Sequence, residues 1–263
     1  MTRLFEVLKL AEEKLRGSAV ETPRLDAEIL LSHITNIPSG ELFFLKNAEI
    51  DDEKIKIFNE LVERRCRREP VAKITHKKFF WKYEFFVNGN VLDPRPETET
   101  LVECALEEFK NWENLSILDL GTGSGCIIIS LLKEIKNSRG VAVDLSLPAL
   151  QTAKFNAVNL GVFGKARFLR NYWNRGMREK FDVIVSNPPY VETETISKLE
   201  DDVKKYEPPI ALDGGRDGLD CYKYLAKNLK KNCRRRTKIF LEIGRDQAVA
   251  VKNIFEEQNF VFH

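Results

Sequence analysis

Ile117-Leu118-Asp119-Leu120-Gly121-Thr122-Gly123-Ser124-Gly125-Cys126-Ile127 is an apolar run interrupted by three glycines at alternate positions and then resumed. The half before the glycines reads as a strand and the half after them as a helix, Gly125 to Lys136. Between the two the backbone must turn tightly and let a ligand approach. A dinucleotide fingerprint would put Gly or Ala where Cys126 stands, and a phosphate-binding P-loop would need Gly-Lys-Ser/Thr. Neither fits. Asp144 closes the next strand, Val141 to Asp144, where a carboxylate can accept both hydroxyl protons of a ribose.

Working outward, strands are expected at Ile117 to Leu120, Val141 to Asp144, Ala166 to Arg170, Phe181 to Ser186 and Lys238 to Ile243, with a last strand beginning at Phe260. Helices are expected at Pro148 to Asn159 and Arg245 to Gln258, in addition to the one after the glycines. This alternation predicts an α/β fold with a doubly wound parallel sheet, which binds ligands at the carboxyl ends of its strands.

The strand Phe181 to Ser186 runs into Asn187-Pro188-Pro189-Tyr190. The two prolines fix the backbone there. The Asn187 side-chain oxygen and the Pro188 carbonyl then provide two acceptors for the two protons of one planar NH2 group. Tyr190 offers a ring to stack on a planar group. An amide nitrogen is a poor nucleophile, so orientation and dipole stabilisation must carry any transfer to it.

Upstream, Arg3 to about Arg68 repeats apolar residues at helical spacing: Leu4, Val7, Leu8, Ala11 and Leu15, then Leu25, Ile29 and Leu30, then Ile55, Phe58, Leu61 and Val62. Thr22-Pro23, Asp51 and Asp52 suit helix starts. Phe79 to Val87 is aromatic and β-branched, with Asn88-Gly89 expected as a hairpin turn. The expected organisation is a helical domain over 1–70, a β-hairpin linker over 71–96 and an α/β domain over 97–263. A helix should begin after Pro96, with Glu97 and Glu99 in its first turn.

The 263 residues carry 42 Lys+Arg against 40 Asp+Glu, so no global positive field draws the chain onto nucleic acid or anionic membrane. The longest apolar run, Cys126 to Leu132, is far short of the roughly 20 residues that span a bilayer. The five cysteines are scattered without C-x-x-C spacing, which suggests neither a metal site nor a disulfide framework. A cytoplasmic protein with reduced thiols is expected. The basic run Lys230 to Lys238 is expected as a solvated loop. Arg64, Arg65, Arg67 and Arg68 end a helix and offer a basic surface to an acidic partner. His33, His76 and His263 are assigned no catalytic role.

The glycine loop with Asp144 resembles that of Rossmann-like class I S-adenosylmethionine methyltransferases. With Asn187 to Tyr190, the chain as a whole resembles the glutamine methyltransferases of the HemK/PrmC family, which modify the Gly-Gly-Gln glutamine of peptide chain release factors. The family's features are matched by Glu69 to Ile74, by Pro94-Arg95-Pro96-Glu97-Thr98-Glu99, and by Tyr206 to Leu212 with Gly214-Gly215-Arg216-Asp217-Gly218-Leu219. The resemblance implies transfer of a methyl group from S-adenosylmethionine to a glutamine amide nitrogen, with Asn187 and Pro188 as catalytic residues. It implies a substrate pocket of Asn187, Pro188, Pro189, Tyr190, Arg95, Pro96 and Glu97. The cofactor would contact Gly121, Thr122, Gly123, Ser124, Gly125, Asp144, Asn171, Tyr172 and Asn187. The helical domain would grip the release factor, and the enzyme would act as a monomer without metal, membrane or nucleic acid.

Two departures stand out. After the third strand the family usually has an acidic residue to accept the adenine amino group. Asn171 replaces it here, a neutral and therefore weaker acceptor, with Tyr172 expected to stack on the ring. The fold resembled would also continue beyond His263 into one more strand, which is expected to be missing, leaving an apolar sheet edge. Two rival readings follow. One is a DNA or RNA amino methyltransferase that uses the same loop on a flipped base. The other is a shortened relative that binds the factor without catalysis.

Overall fold

A computed structural model of the protein describes residues 2–45 and 47–261. Two compact units make up the chain. The first runs through His76 and also takes in Asp201–Tyr206; the second comprises Lys77–Glu200 and the chain from Glu207 onward.

In the first unit a two-residue strand β1 (Thr2–Arg3) pairs antiparallel with β2 (Glu49–Ile50), Thr2 opposite Ile50. Around this pair lie helices α1 (Leu4–Gly17), α2 (Pro23–Thr35), α3 (Ser39–Leu42), α4 (Asp52–Cys66) and α5 (Val71–Thr75). Leu4, Val7, Leu8, Ala11 and Leu15 form the buried stripe of α1, at the three- and four-residue steps that keep side chains on one helix face. They share a core with Ala27, Leu30 and Leu31 of α2 and with Phe58 and Val62 of α4. Asp51 caps α4 by accepting the Lys54 N–H at 2.8 Å. Thr22 precedes Pro23 at the start of α2, but its hydroxyl donates to Asp26 at 2.8 Å instead of accepting from the helix.

The basic end of α4 is largely committed inside this unit. The Arg65 guanidinium is buried and donates to Asp26 at 2.7 Å and to Asp202 at 2.8 Å. Arg68 donates to the other Asp202 oxygen at 2.5 Å, and Arg64 pairs with Glu69. Of the four arginines expected to form a basic surface, Arg67 is the exposed one.

The second unit opens with a hairpin of β3 (Lys77–Phe80) and β4 (Tyr83–Phe86), in register Lys77 to Phe86 and Phe80 to Tyr83. Its turn is Trp81-Lys82, with Trp81 at φ +58°, and not Asn88-Gly89 as expected. Side-chain anchoring holds this unfavourable aromatic conformation: the Trp81 backbone N–H donates to Glu99 at 2.9 Å and its indole N–H to Glu134 at 3.1 Å. At the far end of β4 the Asn156 amide takes both the N–H and the C=O of Phe86, which ends the pairing before Asn88. The hairpin belongs to this unit, where the sequence reading set it apart as a linker.

The chain then alternates through α6 (Pro96–Glu108), β5 (Ser116–Leu120), α7 (Cys126–Glu134), β6 (Arg139–Asp144), α8 (Leu147–Asn159), β7 (Ala166–Arg170) and β8 (Phe181–Ser186). The short helix α9 (Asp201–Tyr206) is the segment that joins the first unit; α10 (Asp220–Asn228), β9 (Cys233–Leu241) and α11 (Ala248–Glu256) complete the second. The five strands lie in the order β7-β6-β5-β8-β9, every pair parallel. Helix α7 is apolar on all sides as far as Leu132 because that stretch is enclosed: Ile128, Ile129, Leu131 and Leu132 have no exposed surface.

Strand β9 begins at Cys233, five residues before the expected start, through a register shift opposite Phe181 and Val183. The basic run is therefore a 3-10 turn over Leu229–Asn232 followed by strand, not a loop, with Arg234 donating to Asp182 and Lys238 paired with Glu108. Helix α11 is shorter than expected at both ends. Of the strand expected from Phe260, Phe260 and Val261 lie in no strand and the remainder falls outside the described residues. Among the described residues no helix is long and apolar enough to cross a membrane.

Candidate active site

Strand order reverses at β5: β6 lies on one side of it and β8 on the other. The loops leaving β5 and β8 therefore emerge side by side at a topological switch point, the place where such sheets bind ligands. The Ser186 hydroxyl donates to the Leu120 carbonyl at 2.6 Å and ties the two strand ends together.

Gly121, Gly123 and Gly125 have φ of +75°, +54° and +81°, the left-handed region that favours glycine. Their side-chain spaces differ. A Cβ on Gly125 would come within 2.8 Å of Ile129 and 3.2 Å of Ala153, so this glycine allows α7 to pack on α8. A Cβ on Gly123 would meet nothing within 4 Å, because that face of the loop opens on the cavity. The loop is held from below, where Gly121 and Thr122 both donate their N–H to the Val143 carbonyl at 2.9 Å. Thr122 also donates its hydroxyl to Asp119 at 2.7 Å. Asp119 is fully buried, and burial pushes its carboxyl up to about 7. Cys126, at the start of α7, is a buried thiol pushed up to about 12, a packing group with no nucleophilic character.

Asp144 ends β6 with its carboxylate in the cavity wall, accepting the Gly123 N–H at 2.9 Å and the Ser146 N–H at 2.8 Å. Oδ2 accepts from Gly123 and Oδ1 from Ser146, and the carboxylate retains acceptor capacity for a diol. Burial raises its pKa, and these backbone donors pull it back. Asn171 follows β7. Its Nδ2 donates to the Arg175 carbonyl at 2.8 Å and its Oδ1 accepts the Tyr172 N–H at 3.0 Å, which leaves one lone pair for a ligand. Tyr172 is half exposed and meets Tyr224 edge to face, ring centroids 5.0 Å apart. Trp173, at φ +50°, lies 3.6 Å from where a Gly121 Cβ would be.

On the β8 side, the Asn187 Nδ2 donates to the Thr98 hydroxyl at 3.0 Å, and Thr98 donates to Glu242 at 2.5 Å. Burial pushes the Glu242 carboxyl up, while hydrogen bonds from Thr98, Tyr190 and Asn187 pull it back. Tyr190 is further fixed through its carbonyl, which accepts from Gln247 at 3.0 Å. The insert after the loop packs directly on it: Gly214 donates to the Val191 carbonyl at 2.8 Å, and a Cβ on Gly218 would fall 2.4 Å from the Tyr190 carbonyl oxygen. Arg95 donates to Glu207 at 2.8 Å, and the same buried carboxylate accepts the Asp93 N–H.

These groups surround one cavity of about 380 Å³. Its walls include Gly121, Thr122, Gly123, Ser124, Asp144, Asn171, Tyr172, Asn187, Pro189 and Arg95 from the expected set. Gly125, Pro188 and Tyr190 do not line it: Gly125 packs two helices together, Pro188 is buried, and Tyr190 packs into the core beside Glu242. Pro96 and Glu97, expected in the same cleft, are exposed on the outside of α6. The reason is helical phase: Thr98, Leu101, Val102 and Ala105 form the inward face, so Thr98 enters the cavity and its predecessor points away. Thr98, Trp173 and Glu242 were missed by sequence reasoning. The helical period of the first could have found it; no local signal marks the other two. Among the described residues no cluster of three or more His, Cys, Asp or Glu is placed to hold a metal ion.

A parallel sheet in this order, a glycine loop open to the cavity after β5, an acid at the end of β6 and Asn-Pro-Pro-Tyr after β8 define a Rossmann-like class I S-adenosylmethionine methyltransferase. Comparison with known proteins agrees and narrows it. The hMettl16 catalytic domain in complex with the MAT2A 3'UTR hairpin 6 superposes with a TM-score of 0.55 at 15% identity, over 68% of each chain. The SAM-dependent methyltransferase from Agrobacterium tumefaciens does so at 0.50 and 15%, over 69% of this chain and 57% of the other. These two show the fold alone. Residues 6–75 match the PrmC N-terminal domain and residues 96–202 the methyltransferase small domain. The release factor glutamine methyltransferase of Caulobacter vibrioides is 40% identical over 96% of this chain and 88% of its own. That of Cereibacter sphaeroides is 36% identical over 97% and 90%. The bifunctional methyltransferase of Rickettsia typhi is 38% identical over 95% of this chain, which spans 52% of that longer protein. The chain belongs to the release factor glutamine methyltransferase family.

Proposed function

We propose that the protein methylates the side-chain amide nitrogen of the glutamine in the Gly-Gly-Gln motif of peptide chain release factors. The observation that carries this reading is Asn187, fixed by its own hydrogen bond at the mouth of β8 and facing the cavity next to the glycine loop. Asn187 Oδ1 accepts an N–H proton of the glutamine carboxamide and holds its nitrogen in line for transfer, while Pro188, buried behind the cavity wall, fixes the backbone that presents Asn187. The amide dipole stabilises the positive charge that develops there. Pro189 and Tyr190 keep this loop rigid, and Arg95 is held at the cavity by Glu207. S-adenosylmethionine, when bound, supplies a methyl group on a positively charged sulfur. Gly121 to Ser124 would pass beneath its methionine end, Asp144 would take the ribose, and Asn171 and Tyr172 the adenine. The open face of Gly123 and the remaining lone pairs of Asp144 suit that assignment. The methylated amide, cationic at first, is acidic enough to release its proton to water, so no general base is needed.

The helical unit contacts the release factor outside its glutamine loop, and the enzyme works in the cytoplasm as a monomer without nucleic acid. The test is peptide mass spectrometry on purified release factor incubated with the protein and S-adenosylmethionine, beside Asn187→Ala. One methyl on the Gly-Gly-Gln glutamine, lost in the variant, is expected. A folded, cofactor-bound protein that leaves the factor unmodified but methylates an RNA or DNA amine would replace this reading.

A further inference from the structure

Thr98 belongs to α6, Asn187 to the loop after β8, and Glu242 follows β9; in sequence they are 89 and 144 residues apart along the chain of bonds that joins them. The Thr98 hydroxyl, in a residue only 2% exposed, stands between the other two side chains. It has one proton to give. That proton is given to Glu242 Oε2, so toward Asn187 the hydroxyl presents lone pairs. Only the NH2 end of Asn187 complements a lone pair. Its Oδ1 is then the end left for the cavity. The reverse orientation would set a carbonyl oxygen against the Thr98 lone pairs and an NH2 group against the NH2 group of an incoming carboxamide, an unfavourable contact on both sides.

Glu242 is itself anchored. The Tyr190 hydroxyl donates to its other carboxylate oxygen at 3.4 Å, the Tyr222 hydroxyl donates to its backbone carbonyl at 2.9 Å, and its N–H donates to the Ser186 carbonyl at 3.0 Å. We propose that Thr98 and Glu242 are positioning residues: Glu242, which meets Asn187 through the Thr98 hydroxyl and also directly, sets the rotamer and amide orientation of Asn187, so that its oxygen faces the acceptor nitrogen. This deepens the reading of Asn187 given above and rests on it.

The test compares Thr98→Val, which keeps the shape and removes the hydroxyl, with Thr98→Ser, which keeps the hydroxyl, and with Glu242→Gln. Misorienting a reacting group can cost about a hundredfold. Thr98→Val is therefore expected to lower kcat for methylation of the factor by about tenfold to a hundredfold, with KM for the factor and the calorimetric affinity for S-adenosylmethionine within about twofold. Thr98→Ser should recover most of the loss. Glu242→Gln should lower kcat by itself, and the double variant should lose less than the product of the two single losses, since both act on the orientation of the same Asn187 amide.

A readout independent of activity is the side-chain amide resonance pair of Asn187, identified by its disappearance in Asn187→Ala. Its exchange with solvent should be slow in the parent and in Thr98→Ser, and fast in Thr98→Val. Unchanged amide exchange in Thr98→Val, kcat within twofold of the parent, or losses from Thr98→Val and Glu242→Gln that simply multiply would each overturn the positioning role. A parent enzyme that fails to methylate the factor while its amide exchange follows the expected pattern would instead remove the substrate assignment and leave the positioning role standing.

Discussion

Asp119 shows how a single buried group writes a pH dependence into the molecule. Its ordinary value is 3.8, and inside the folded glycine loop burial raises it to about 7. A carboxyl raised by folding favours the native state while protonated. That contribution is complete below its unfolded value and is lost as pH rises through about 7. Asp119→Asn cannot titrate, so its melting temperature relative to the parent should climb between about pH 4 and about pH 7 and level off above that. A difference that stays flat with pH would mean that Asp119 is already charged in the native state. Asn171 illustrates a different constraint. Both ends of its amide serve its own turn, so Asn171→Asp loses the bond to the Arg175 carbonyl and gains a charge on the cavity wall. Calorimetry should show tighter S-adenosylmethionine binding, by about threefold to tenfold, because an ionised acceptor holds an amino group more strongly.

At the scale of elements, the three glycines of one loop separate into two tasks. Gly125→Ala adds a methyl group 2.8 Å from Ile129 where α7 meets α8. Overpacking and left-handed strain together should cost about 2–4 kcal/mol, visible as a lower melting temperature. Gly123→Ala carries only the backbone strain, about 1–2 kcal/mol, and its methyl group projects into the cavity. Its main effect should be on cofactor affinity measured by calorimetry. The strand, loop and helix around these glycines were legible in the sequence because an apolar strand, an alternating glycine run and an apolar helix are all local patterns. The hairpin was not. A tryptophan at φ +58° is tolerated only because Glu99 and Glu134, from two helices, hold it, and no turn propensity records partners that far away. The same holds for the inward face of the site. Thr98 and Glu97 are adjacent in a motif that stood out as a whole, and only the phase of α6 decides which of them reaches the cavity.

For the molecule as a whole, the ionic centre of the first unit depends on a residue far along the chain. Asp202 accepts from both Arg65 and Arg68, and Arg65 is buried. Asp202→Ala removes charge-assisted bonds from both and should lower stability by about 1.5–3 kcal/mol, measured by denaturant unfolding. Unfolding recorded by probes placed in each unit should show the loss in the first. The polypeptide enters the second unit at Lys77, leaves it after Glu200, and re-enters at Glu207. The two units are thus joined by three covalent crossings, not one. A protease nick between His76 and Lys77 would cut 1–76 from the Asp201–Tyr206 segment of its own unit, and no single break in a gene could pass on the helical unit complete. Recombination that exchanges domains by cutting once would carry away a helical unit lacking Asp202, which ties the inheritance of the two parts together.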